Sequence, residues 1–106
     1  MKYKLTKNSI EVCGKKLFQI QASIDFGVVK KGELGGYIEK SENLDQYGDA
    51  WVSGNAWVYG NACVSGNACV SGNACVFGNA CVSGNACVSG NAELDNGDGD
   101  KIIWKE

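Results

Sequence analysis

At 106 residues, 44% of them hydrophobic, the chain is long enough for one domain with its own core and too apolar for a disordered segment. Its net charge is −2, with ten Lys, no Arg and no His, so the commonest general base and the bidentate phosphate clamp are both missing. No apolar run is long enough to span a bilayer and none near Met1 has a signal-peptide layout, so no membrane association and a cytoplasmic location are expected.

Residues 1–43 hold eight Lys against five acids and lack any repeat. Tyr3-Lys4-Leu5, Ile10-Glu11-Val12 and the alternating Leu17-Phe18-Gln19-Ile20-Gln21 read as strands, with Cys13-Gly14-Lys15-Lys16 as a hairpin turn. Asp25-Phe26-Gly27 and residues 31–37 are rich in turn formers. This segment is predicted to be an N-terminal β cap.

From residue 44 to 95 a six-residue phrase, Gly-Asn-Ala-x-Val-x, recurs almost unchanged. Six is neither the helical nor the heptad period; it is the period of parallel β-helices built from hexapeptides. In a strand, side chains alternate, so Ala and Val point to one side and x to the other. Gly and Asn, which tolerate φ > 0, then turn the chain at a corner. The fold class expected is all-β: a short, triangular, left-handed parallel β-helix with about 18 residues per coil and about three coils.

Stacking at that interval defines columns. Val52, Val70 and Val88 face inward on one side, Val58, Val76 and Leu94 on the next, and Val64 and Val82 on the third. Asn55, Asn73 and Asn91 line one corner, where they can form an amide ladder. Kept in the same phase, Leu44 falls in the Ala column and Gln46 in the Val column, and Asp45 heads the outward column of Cys63 and Cys81. The other outward columns are Trp51, Cys69, Cys87 and Trp57, Cys75, Glu93.

Residues 96–106 break the repeat and end in a closing strand, Lys101-Ile102-Ile103-Trp104, with Trp104 expected over the last core layer. The acidic turn before it has Lys101 where a calcium loop of the EF-hand type requires Gly, so it reads as a solvated turn.

Asp25-Phe26-Gly27-Val28-Val29-Lys30-Lys31-Gly32, Leu34-Gly35-Gly36-Tyr37-Ile38-Glu39, Asn43-Leu44 and Gly48-Asp49-Ala50-Trp51-Val52 together resemble the hexapeptide-repeat proteins of phages and prophages, transferase-like but of unassigned activity. The resemblance covers nearly the whole chain. It implies a left-handed β-helix with an N-terminal β cap and says little about activity, since fold does not carry function. The chain departs from these relatives in having Cys where they often carry Arg or Lys.

Cys residues six apart lie on different sides of the prism, and those 18 apart face each other in rows, Cys63 with Cys81 and Cys69 with Cys87. Two thiols per side fall short of a structural zinc site, so no metal and no cofactor are expected. The uncharged stretch between Ala50 and Ala92 is unusual for a lone monomer. Trp57, Tyr59, Cys75 and Phe77 share one side of it, and aromatics gathered on one face mark an interface core. A homodimer through that side is expected, with a further protein partner.

Catalysis is disfavoured because hexapeptide-repeat acyltransferases rely on a His base. Nucleic-acid binding is disfavoured because Lys2, Lys4, Lys7, Lys15, Lys16, Lys30 and Lys31 are confined to the cap. The sequence therefore reads as a non-enzymatic interaction or scaffold protein of phage type, with inhibition of a host defence complex as a purpose the resemblance suggests. A thiol-using acyltransferase variant and an engineered solenoid displaying thiols or metal are the alternatives.

Overall fold

The computed structural model describes residues 2–12, 14–27, 29–91, 93–96 and 101–102. Its first strands are β1 (Tyr3–Val12), β2 (Lys15–Ala22) and β3 (Leu34–Ile38), followed by a 3-10 turn at Ser41–Asn43. Short strands then recur once per hexad: β4 (Trp51–Val52), β5 (Trp57–Val58), β6 (Cys63–Val64), β7 (Cys69–Val70), β8 (Cys75–Gly78), β9 (Cys81–Val82), β10 (Cys87–Val88), β11 (Glu93–Asn96) and β12 (Lys101–Ile102). No helix among the described residues is long and apolar enough to cross a membrane.

These strands stack into three parallel sheets, β3-β5-β8-β11, β4-β7-β10 and β6-β9-β12, which form the sides of a β-solenoid of about three coils. Within the repeat the register advances by eighteen, as in Trp51↔Cys69 and Cys69↔Cys87. Val52, Val58, Val64, Val70, Val76, Val82 and Val88 are all fully buried along the axis, and the Ala residues two positions earlier are buried with them. The thiols face outward and are partly exposed, so the period-two alternation holds through every coil.

At each corner the glycine takes the positive φ, between 64° and 73° from Gly48 to Gly90. The turn is closed by bonds such as Ala56 N–H to the Ser53 carbonyl, 3.3 Å. The amide ladder is present as two long contacts, Asn55 Nδ2 to Asn73 Oδ1 at 3.5 Å and Asn73 Nδ2 to Asn91 Oδ1 at 3.4 Å.

The first coil departs from the expected phase. Leu44 bridges Val64, twenty residues on, and is fully buried, so it stands in the Val column and not in the Ala column. A Leu side chain is too large for the corner position that Ala fills in later coils. The two additional residues lie between Leu44 and Gly48, where Tyr47 is 81% exposed. Gln46 is consequently not inward: it sits on that loop, and its Oε1 accepts from the Lys2 N–H at 2.8 Å and the Tyr3 N–H at 3.4 Å. Asp45 moves with it, its N–H donating to the Val64 carbonyl at 2.9 Å. Asn43 is fully buried; its Nδ2 donates to the Ala62 carbonyl at 2.8 Å and its Oδ1 accepts from the Lys40 N–H at 2.9 Å.

A second correction concerns residues 31–37, read as turn-forming. Leu34–Ile38 is a strand that pairs antiparallel with β2 and parallel with β5, through Phe18↔Ile38 and Tyr37↔Trp57. Two glycines disfavour a strand by local propensity, but a Gly inside a strand often marks a close approach of another backbone. A Cβ on Gly35 would meet the Val52 carbonyl oxygen at 2.5 Å, and one on Gly36 would meet the Ala56 oxygen at 2.7 Å. Bare backbone is what lets β3 lie on the next coil.

The hairpin of β1 and β2 carries the sheet past β3 and folds over the end of the axis. Tyr3, Ile20, Ala22, Val29 and Ile38 join one core cluster with the coil residues. The Tyr3 hydroxyl donates to the carbonyls of Ser41 and Leu44, tying the cap to the opposite side of the prism. The Lys2 ammonium donates to the Ala50 carbonyl at 2.8 Å and lies 4.8 Å from the centre of the Phe26 ring. β1 is an edge strand; its irregular register between Leu5 and Ser9 and its exposed Lys4 and Lys7 oppose pairing with another chain. Asp95 and Asn96, read from the sequence as the start of the acidic turn, belong to β11, in register with Phe77 and Gly78; residues 97–100 and Trp104 lie outside the described residues.

Gly36→Ala is expected to destabilise the chain by about 1–3 kcal/mol, the usual range for overpacking a filled interior. Urea unfolding followed by Trp fluorescence measures it. An unchanged midpoint would mean that β3 does not lie against the coil as described.

Candidate interaction face

Three outer walls follow from the three sheets, and the cap treats them unequally. On the β4-β7-β10 wall Trp51 occupies an outward position in register with Cys69, yet it is only 5% exposed. The loop between β2 and β3 covers it: Phe26 packs edge-on to the indole with ring centres 5.3 Å apart. Part of the uncharged wall is thus buried by the chain itself, where a partner was expected to bury it.

The β3-β5-β8-β11 wall has a different character. Trp57 stands opposite Cys75 on the next coil, and Tyr59 and Phe77 stack face to face with centres 5.3 Å apart and planes 8° from parallel. Strand spacing brings such rings within contact because the register is in phase and identical positions lie directly above one another. Trp57, Tyr59, Cys75 and Phe77, grouped from the sequence, all lie on this wall and are half-buried. Tyr37 extends the group. Its register with Trp57 puts it at the head of the same column, and it was missed because β3 read as turn. The available signal was Tyr37-Ile38 itself, an aromatic followed by a β-branched residue, like Trp57-Val58.

Charge returns only at the margin of this wall. Glu39 accepts from the Gly60 N–H at 2.9 Å and pairs with Lys15 at 3.8 Å. These residues, with Lys40, Tyr59, Phe77 and Asn79, edge a shallow groove of about 480 Å³. The arrangement is an apolar aromatic strip with a polar rim, the anatomy of a protein interface.

The thiols form two pairs. Cys63 Sγ lies 2.9 Å from Cys81 Sγ, and Cys69 Sγ lies 2.8 Å from Cys87 Sγ. Cys75 stands in register with Trp57 and Glu93, so neither neighbour in its column is a thiol. Burial first, and then the facing thiol, push Cys63 and Cys69 up to about 11 from an ordinary 9.0; Asp45 adds to the effect at Cys63. Among the described residues no group of three or more His, Cys, Asp or Glu is placed to hold a metal ion. No family model matches the sequence, and no curated protein matches it.

Raised values mean that Cys63 and Cys69 keep their protons. At pH 7–8 their thiolate fraction is expected to be roughly a hundredfold below that of the same residues in the urea-unfolded chain. Iodoacetamide labelling read by peptide mass spectrometry should lag accordingly and close the gap as pH rises towards 11. Equal rates in folded and unfolded chains at pH 8 would contradict the packing of these thiols.

Proposed function

We propose that the chain is a non-enzymatic binding scaffold that self-associates as a homodimer through the β3-β5-β8-β11 wall and uses its uncharged faces to hold a protein partner in the cytoplasm. The observation that carries this reading is the stacked Tyr59 and Phe77 pair beside Trp57, on a wall without charge between its margins. Partly exposed aromatics in rigid, preformed positions lose little entropy on docking, which is why they dominate the energetics of interfaces. A two-fold axis through the strip would set it against its own copy.

The resemblance to phage and prophage hexapeptide-repeat proteins supports a partner from the host, with a defence complex as the class it suggests. A non-enzymatic role is supported by chemistry: the sequence has no His, and the thiols of Cys63 and Cys69 are held protonated, the opposite of what an acyl-transferring nucleophile requires.

Sedimentation equilibrium over a concentration series tests the reading. The wild-type chain is expected to dimerise, and Trp57→Lys with Phe77→Lys to weaken the dimer at least tenfold, about 1.4 kcal/mol, with an unchanged circular dichroism spectrum. A monomer at high micromolar concentration, or a double variant that dimerises as well as the wild type, would refute it.

A further inference from the structure

The two thiol pairs are not absorbed by the interaction face. Each consists of the same position on adjacent coils, Cys63↔Cys81 and Cys69↔Cys87. In-register parallel strands aim both Cβ atoms the same way. Both sulfurs of a pair therefore stand side by side on one wall, 2.9 Å and 2.8 Å apart.

From this geometry we infer that Cys63/Cys81 and Cys69/Cys87 are two chelating dithiol sites for trivalent arsenic, and for organoarsenicals above all. Bite and ligand number select that chemistry. A two-coordinate soft ion such as Cu(I) or Hg(II) wants its sulfurs on opposite sides of the metal, and these stand together. Tetrahedral zinc wants four ligands, and among the described residues no third metal-binding side chain joins either pair. Pyramidal trivalent arsenic forms two bonds to sulfur at a narrow angle and carries its third substituent away from them, which suits a short, one-sided bite.

Protonation points the same way. Zinc and copper need thiolates, and burial holds the proton on one thiol of each pair, Cys63 and Cys69. An arsenic oxide, R–As=O, reacts with two neutral thiols: two As–S bonds form, the As–O bonds break, and the oxygen leaves as water carrying both thiol protons. Arsenic stays trivalent, and neither oxidant nor reductant is consumed.

Both sites are open. Cys63 lines a groove of about 370 Å³ with Ser41, Glu42 and Tyr47. Cys69 lines a groove of about 490 Å³ beside Trp51 and Val29, and these apolar neighbours suit an aryl substituent on the arsenic. Cys75, with no thiol above or below it in its column, is a built-in control.

The test is native mass spectrometry of the reduced full chain carrying Cys13→Ser, titrated with phenylarsine oxide in excess glutathione. Two adducts per chain are expected, each lost to added 2,3-dimercaptopropanol. Cys63→Ser and Cys81→Ser should each leave one adduct, as should Cys69→Ser and Cys87→Ser; one change in each pair should leave none, and Cys75→Ser should leave two. Iodoacetamide added after loading should label Cys75 alone. The inference is overturned by adducts that glutathione removes, by adducts that survive when both pairs are broken, or by loss of one on Cys75→Ser. Circular dichroism of each variant shows that the fold persists, and a change in dimerisation is read separately.

Discussion

A narrow prism can be filled by only two side chains per hexad, and this constraint governs the rest of the molecule. Ala sits next to the corner, where the walls converge, and Val sits at mid-wall, where there is room for a branched side chain; both are buried in coil after coil. Alternation then sends every other residue outward, so the thiols and rings are external because Ala and Val are internal. The corners complete the condition. Glycines stack on glycines there, and a Cβ on Gly66 would come within 3.1 Å of the Gly84 nitrogen while forcing a side chain into positive φ.

A prism filled this way has open ends. The first is closed by a device outside the repeat: β1 and β2 prolong one sheet, bend over the axis and deliver Tyr3, Ile20 and Ala22 to the core. β3 belongs to both parts, antiparallel on one edge and parallel on the other. Its two glycines serve a packing need different from that of the corner glycines, since they are extended and crowded where the corner ones are turned. The cap also decides which walls remain for a partner. It covers Trp51 on one wall and leaves the strip from Tyr37 to Phe77 accessible on another.

Much of this was legible in the sequence, for an identifiable reason. A strict six-residue phrase repeats the same local physics, so one hexad's alternation extends to all of them, and the register of the Val columns, the pairing of Cys63 with Cys81 and the Asn55-Asn73-Asn91 ladder follow. What was not legible depends on contacts between segments far apart in the chain. Leu44 kept the phrase's spacing but not its volume, and two residues of loop absorb the difference. Gly35 and Gly36 read as turn formers because the backbone that crowds them arrives some twenty residues later. Trp51 occupied an outward column, and nothing nearby in sequence indicates that Phe26 comes to lie over it.

Two neighbouring residues with opposite fates test the account most directly. Val70 is fully buried on the axis and Ser71 lies on the outer wall beside it. Urea unfolding of Val70→Asp and Ser71→Asp, measured side by side, should give a loss of several kcal/mol and of cooperative unfolding for the first, as an unpaired charge enters the core, and a change within about 1 kcal/mol for the second. Equal losses, or a larger loss at Ser71, would contradict the inward placement of the valines and with it the outward placement of the rings and thiols.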